Sequence, residues 1–188
     1  ASRQVLRREF VLTRAKRTAL WWFDFLGGNY ASEEMMAMVA EFVRTQGRLR
    51  DVPMRSVAEI AVFGDVGSMF HPAATSPLAT DLLVQPPDAL ARVGAPTEIY
   101  TFSDLTDPRL PWERYKLVVF LNTMLMTPEQ RAFVREQVAT GGRTVFWVYA
   151  PDYIQPDGFS TAGIRAVTGI HVVERPGDDS RVRLNSGE

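Results

Sequence analysis

The chain has 188 residues, 46% of them hydrophobic, and carries 21 basic against 22 acidic side chains. This length and composition suit one ordinary domain with an appended segment, and the net charge of -1 provides no electrostatic attraction to nucleic acid or to an anionic membrane. Because cysteine is absent, the chain can form no disulfide, no thiolate metal site and no cysteine nucleophile.

The apolar runs are too short to predict a membrane span. Asp24 interrupts the first run and Asn122 interrupts the second. The first residues carry arginines without the apolar core of a secretory signal. The lack of cysteine favours a cytoplasmic location.

The first 52 residues predict a helix, a strand and a second helix. Apolar residues recur at helical spacing over 2–17, and a strand follows at 19–25. Ser32 is a good N-cap for the next helix, which Gly47 closes. The strand is apolar on both faces, so it needs a neighbouring strand on each edge. This pattern is typical of the last βα unit of a (β/α)8 barrel whose other units lie elsewhere.

Residues 53–175 predict alternating strands and helices. Ser76 and Pro77 begin a helix that Pro86 and Pro87 are expected to break or kink. A capping box at 127–130 begins a further helix, and Ser160 caps a short one that ends at Gly169. The predicted strands are 56–63, 98–102, 115–121, 143–149 and 170–173. Residues 176–188 form a polar tail with a possible edge strand at 182–184.

Strands that alternate with helices at these spacings predict a parallel sheet covered on both faces. With about five strands, the expected fold is α/β, a flavodoxin-like three-layer sandwich preceded by the leftover barrel unit. The residues expected to be buried on its central strands are Val118, Phe120, Val145 and Trp147.

Several stretches, in this order, resemble a known family. The Leu-Trp-Trp-Phe-Asp-Phe run within 19–30 resembles the end of the catalytic barrel in β-galactosidase-like glycoside hydrolases related to family 42. Arg-Val-Gly-Ala-Pro at 92–96, Ser-Asp-Leu at 103–105, and the strands within 115–122 and 142–151 resemble the domain that follows that barrel. That domain is called the β-galactosidase trimerisation domain, and its fold is similar to class I glutamine amidotransferases.

The resemblance implies a non-catalytic part of a larger enzyme. The family cleaves β-glycosides with two glutamates on earlier barrel strands, which here would lie before Ala1. The final barrel strand lends an aromatic wall to the sugar subsite, and the matching position is Trp21 or Trp22, with Asp24 at the same end of the strand. The second domain is expected to serve self-association, as a dimer or trimer, and to shape the active-site mouth. The β-glycoside would be a ligand of the full-length parent alone.

A separate candidate site lies in the second domain. Five polar side chains fall at or just after the carboxyl ends of predicted strands, where open α/β sheets bind ligands. They are Asp65, His71, Asn122, Tyr149 and Asp152. The alternative is that they are turn and cap residues.

No catalytic residue, metal or cofactor is expected in this chain. An amidotransferase needs a cysteine on a strand-to-helix elbow, and the turn at 149–151 offers no nucleophile. His71 and His171 lack the spaced partners of a metal site. Three hypotheses remain. The first is a non-catalytic part of a β-galactosidase-like hydrolase, and the second is a stand-alone flavodoxin-like domain that binds a small ligand or a protein. The third, an enzyme of unidentified chemistry, is disfavoured by the missing nucleophile.

Overall fold

The structure, a computed structural model, describes residues 2–21, 23, 27–28 and 30–174. It divides into two compact units, residues 1–55 and residues 56–188. Among the described residues, no helix is both long enough and apolar enough to cross a membrane.

The first unit contains two helices, α1 (Ser2–Lys16) and α2 (Glu33–Leu49). The Ser32 hydroxyl caps α2 by accepting a hydrogen bond from the Met35 N–H, and acidic residues occupy the first turn, where the helix dipole favours them. Buried side chains of α2 are Met38 and Phe42.

The contacts between α1 and α2 give the direction of the two helices. Arg3 forms an ion pair with Glu34, Phe10 stacks on Phe42, and Arg14 donates to the carbonyl of Leu49. Contacts that advance together along both helices require the helices to run in the same direction.

The predicted strand at 19–25 is not formed over its described residues, which are 19–21 and 23. Trp21 is 80% exposed there, and its ring lies 5.0 Å from the ring of Phe23. A strand is held by hydrogen bonds to a neighbour, and the described part of this unit has no other strand to provide them. Trp22, Asp24 and Phe25 lie outside the described residues.

The second unit has a four-stranded parallel sheet with strand order 2-1-3-4. Its strands are β1 (Ile60–Gly64), β2 (Thr97–Thr101), β3 (Leu117–Phe120) and β4 (Thr144–Trp147). Alternate residues of β1 and β3 face opposite layers. Phe63, Val118 and Phe120 pack on Val134 and Val167. On the other face, Val62, Val119 and Leu121 pack with Leu83 and Leu90. The expected α/β three-layer sandwich of flavodoxin-like type is thus confirmed.

The helices that cover the sheet are α3 (Gln85–Val93), α4 (Pro128–Phe133) and α5 (Thr161–Thr168). Pro86 and Pro87 were expected to break or kink a helix, and they lie in the first turn of α3, which begins at Gln85. A π-helical turn at Thr80–Val84 precedes it, in which the Gln85 N–H bonds to the carbonyl of Thr80. This wider turn ends just before the two prolines, which have no backbone N–H to donate to the helix. The capping box at Thr127 is present, and a second π-turn, Val134–Val138, follows α4.

The predicted fifth strand at 170–173 is wrong. These residues are outside any strand, and Ile170 and Val173 are exposed. β4 is therefore the last strand on its side of the described sheet, which explains why Val145 and Trp147 are half-buried while Val118 and Phe120 are fully buried. The sequence also missed a small hairpin, β5 (Ile154–Gln155) with β6 (Gly158–Phe159). The tail at 176–188 lies outside the described residues.

Candidate functional site at the carboxyl edge of the sheet

The strand order reverses between β1 and β3, and the carboxyl ends of these two strands flank the crevice where such folds bind ligands. Asp65 and Asn122 lie there, as the sequence predicts, but they bond to each other. The Asn122 side-chain oxygen accepts from the Asp65 N–H at 2.7 Å, and its amide nitrogen donates to the Asp65 carbonyl at 2.6 Å. Asn122 is fully buried. Its side chain therefore fills the crevice, and its polar atoms are bonded to the Asp65 backbone and not open to a ligand.

The Asp65 carboxylate is also used within the protein. It accepts hydrogen bonds from the N–H groups of Gly67 and Ser68, at 3.0 and 2.8 Å, and from the Ser68 hydroxyl. The Ser68 oxygen in turn accepts from the Leu125 N–H at 3.0 Å. The turn after β1 is thereby tied to the loop after β3. A carboxylate with these donors is a turn-forming group, which agrees with the alternative interpretation of the sequence.

Asp152 closes the next gap, between the loops after β3 and β4. Its side chain is 1% exposed and its backbone adopts φ of 55°, while its N–H donates to the carbonyl of Thr123 at 2.9 Å. One carboxylate oxygen lies 3.0 Å from Nε of Arg131, whose orientation makes this an ion pair without an aligned hydrogen bond. Burial raises the pKa of Asp152, and the charge of Arg131 partly offsets that effect.

The backbone at Asp152 also packs closely on α5. Gln155 donates to the Asp152 carbonyl at 2.6 Å. A Cβ placed on Gly163 would lie 2.0 Å from the same carbonyl oxygen, so only glycine fits at that position of α5. The strained turn is therefore enforced by packing and does not line an open cleft.

The side chains of His71 and Tyr149 are exposed and lie outside both of these hydrogen-bonded clusters, although the His71 N–H donates to the carbonyl of Ser68 at 3.4 Å. The structure thus joins Asp65 with Asn122, sets Asp152 in the neighbouring loop, and leaves the two remaining candidates at the surface. Among the described residues, no group of three or more histidine, aspartate and glutamate side chains could hold a metal ion.

The sequence analysis missed the apolar side chains that stand on this edge. Phe70 is 83% exposed in the 3-10 turn after β1, and Val66 beside it is also exposed. Phe159 is 70% exposed and stacks on Tyr153 with ring centroids 5.3 Å apart. Loop residues have no periodic pattern, so the sequence offered no signal that these side chains would face solvent.

A second polar cluster, also unpredicted, lies towards the amino ends of the strands. Glu98 accepts from the hydroxyls of Tyr100 and Tyr115, and from Arg114 at 2.6 Å. Arg114 also donates to the carbonyl of Ser56 at 3.0 Å. Burial raises the pKa of Tyr115, as does its bond to Glu98. Burial alone would raise the pKa of Glu98, but its hydrogen bonds and Arg114 lower it overall. The cluster joins the starts of β1, β2 and β3.

Shallow depressions elsewhere do not coincide with these clusters. One of about 440 Å³ lies along the outer side of α3 and is lined by Asp81, Gln85 and Arg92 among others. Another of about 340 Å³ lies beside Tyr100 and is lined also by Asp107 and Arg109. Neither includes Asp65, Asn122 or Asp152, and the second is lined by residues of the loop that follows the carboxyl end of β2.

In the first unit, Trp21 is the one member of the predicted sugar-binding set that the structure describes. It is exposed and lies next to Phe23. Trp22 and Asp24 lie outside the described residues, so their predicted contact with a sugar in a larger protein stays a prediction.

No family model matches this chain, and no curated protein matches it. Among solved structures, it is similar to a β-galactosidase from Bifidobacterium adolescentis, with 18% sequence identity and a TM-score of 0.46. The match covers 62% of this chain and 55% of that one, so the chain corresponds to about half of its length. The likeness is distant.

Proposed function

We propose that this chain is a non-catalytic part of a β-galactosidase-like glycoside hydrolase that acts in carbohydrate metabolism. In this proposal the second unit works through contact between subunits and shapes the mouth of an active site located elsewhere in the larger protein. The sequence motifs at 19–30, 92–96, 115–122 and 142–151 suggest the family.

One observation carries the choice of an interaction module over an enzyme or a small-ligand domain. The polar groups that normally serve a ligand at the carboxyl edge are engaged within the protein. Asn122 is bonded to the Asp65 backbone, the Asp65 carboxylate to its own turn, and Asp152 is paired with Arg131. The groups left facing solvent on this edge include Phe70 and Phe159. Large exposed apolar side chains are typical of surfaces that contact other proteins.

The first unit supports the assignment to a larger barrel. Its helices run in the same direction, and the segment between them carries an exposed tryptophan at position 21. Successive helices of a (β/α)8 barrel run in the same direction, and the strand between them pairs with strands on both sides.

Two measurements test this proposal. The purified chain should release no nitrophenol from aryl β-galactosides or related glycosides above the buffer rate, because retaining hydrolysis needs two carboxyl groups about 5 Å apart across the bond. It should also self-associate when light scattering is recorded over a wide dilution series. Turnover by the purified chain would overturn the non-catalytic assignment. A monomer at every concentration would overturn the role in subunit contact.

A further inference from the structure

Asp152 is buried with an incomplete set of hydrogen bonds. Its carboxylate oxygen Oδ1 is enclosed and has no hydrogen-bond partner in the protein. The other oxygen faces Nε of Arg131 as an ion pair without an aligned hydrogen bond. In the loop after β3, the hydroxyl of Thr123 is fully buried and also lacks a partner. A carboxylate that leaves water without receiving donors at both oxygens is disfavoured in its ionised form.

The elements that pack against Asp152 bring a single charge to it. The loop after β3 (122–127) contains no titratable side chain, α5 meets Asp152 at Gly163, and the hairpin meets it through the uncharged Gln155. Arg131 of α4 faces the carboxylate but is 30% exposed, so water screens part of its charge. Burial therefore dominates and raises the pKa of Asp152, with Arg131 as a partial offset. The other titratable residues on α4, its following π-turn, the hairpin turn and α5 are exposed: Glu129, Arg135, Glu136, Asp157 and Arg165.

The backbone at Asp152 is held by bonds from neighbouring segments. Its φ of 55° lies in the left-handed region, which aspartate tolerates better than most residues but does not prefer. The Asp152 N–H donates to the carbonyl of Thr123 at 2.9 Å, and the Ile154 N–H donates to that of Met124 at 2.8 Å. Gln155 donates to the Asp152 carbonyl. If these few bonds break, the residue is free to return to an extended conformation.

From these observations we infer that Asp152 is a pH-dependent latch, which holds the loop after β4 (148–153) against the loop after β3 when its carboxyl is protonated and releases it when the carboxyl ionises. The protonated form buries no charge and gains an O–H to donate, for which the unpartnered Thr123 hydroxyl is a candidate acceptor. The ionised form is better solvated outside, and turning outward also relieves the left-handed backbone. Release uncovers the crevice between β3 and β4. The inference is independent of the proposed function, because it concerns one loop of this chain in any assembly.

Hydrogen exchange of the full chain, followed amide by amide by NMR, tests the latch. The protection factors of the Asp152 and Ile154 amides should be highest near pH 4 and should fall by more than about threefold as the pH rises to 8. Above the ordinary aspartate value of 3.8, opening is coupled to the loss of one proton, and this coupling ends once the pH exceeds the pKa of the closed form.

Three variants assign the effect to its source. Asp152→Asn keeps the side-chain size and tolerates positive φ but cannot ionise, so its protection factors should not change with pH. Arg131→Gln removes the offsetting charge and should move the fall in protection to higher pH. Asp107→Asn is the matched control in the loop after β2. Its bond to Arg109 lowers the pKa of Asp107 to about 2, below the tested range, so this variant should behave as wild type does.

Wild-type protection factors that are constant from pH 4 to pH 8 would overturn the latch, and so would a pH dependence that survives in Asp152→Asn. If Asp152→Asn does not fold, a carbon-13 titration of the Asp152 carboxyl in the wild-type chain decides. A midpoint above 3.8 supports the latch, and a midpoint at or below 3.8 overturns it. None of these outcomes bears on self-association or on glycoside cleavage, so the proposed function is tested separately.

Discussion

Asn122→Ala should destabilise the second unit markedly, because this buried amide is a clamp between two strand ends. The substitution removes hydrogen bonds of 2.7 and 2.6 Å and leaves the N–H and carbonyl of Asp65 without their partner. An unsatisfied buried group costs about 1–3 kcal/mol, and Asp65 is half-buried, so water can reach part of it. We expect a loss of about 2–3 kcal/mol, which lowers the melting temperature of a unit of this size by roughly 10 °C.

Urea denaturation at neutral pH measures this loss as a lower midpoint with an unchanged slope. Gln85→Ala is the control, because it removes an exposed amide bonded to Asp81 and should change stability by less than about 0.5 kcal/mol. If Asn122→Ala unfolds at the wild-type midpoint, the clamp contributes nothing to stability. Asn122 would then have to be reconsidered as a ligand-binding residue, as its position at the strand end first suggested.

Two further predictions concern the core and the polar cluster near the strand starts. Val118→Asp should lower the free energy of unfolding by more than about 4 kcal/mol, because an unpaired charge would enter the sheet–helix interface. Val57→Asp, at an exposed position, should leave it nearly unchanged. Thermal melting of both variants measures the difference. Glu98→Gln should lose stability at neutral pH but not in acid. The pKa of Glu98 is lowered in the folded protein, so its ionised form stabilises the fold above the usual value of 4.5, and that contribution disappears as the pH falls through the folded pKa. A stability difference between Glu98→Gln and wild type that stays constant from pH 7 to pH 3 would contradict this account.

The central sheet could be predicted from the sequence because its strands are buried on both faces. Continuous apolar runs such as Leu-Val-Val-Phe-Leu at 117–121 are typical of interior parallel strands. The prediction of a strand at 170–173 was wrong. Its Ile-His-Val-Val sequence contains the apolar residues typical of a buried strand, but this segment lies exposed after α5. Composition indicates which residues can form a strand; pairing depends on tertiary contacts that composition does not specify.

The π-turn before Pro86 and Pro87 was also not predicted from the sequence. A proline inside a helix removes a hydrogen bond, so the sequence favoured a break. The π-turn at Thr80–Val84 avoids this, because the ladder is already shifted to longer hydrogen bonds before the prolines begin α3. Leu83 and Leu90, on either side of the prolines, pack against the same face of the sheet, and this shared burial favours a continuous segment.

The candidate site shows how one set of residues can satisfy two interpretations. Asp65, Asn122 and Asp152 each follow a strand end, but position cannot distinguish a polar group that faces a ligand from one that faces its own backbone. The bonds of these residues fix the loops after β1, β3 and β4. Because these loops are fixed by hydrogen bonds, they do not rearrange to bury apolar side chains such as Phe70, which stays exposed to water. At this edge the polar groups therefore face the protein interior and apolar side chains face solvent. A ligand-binding edge usually has its polar groups facing solvent.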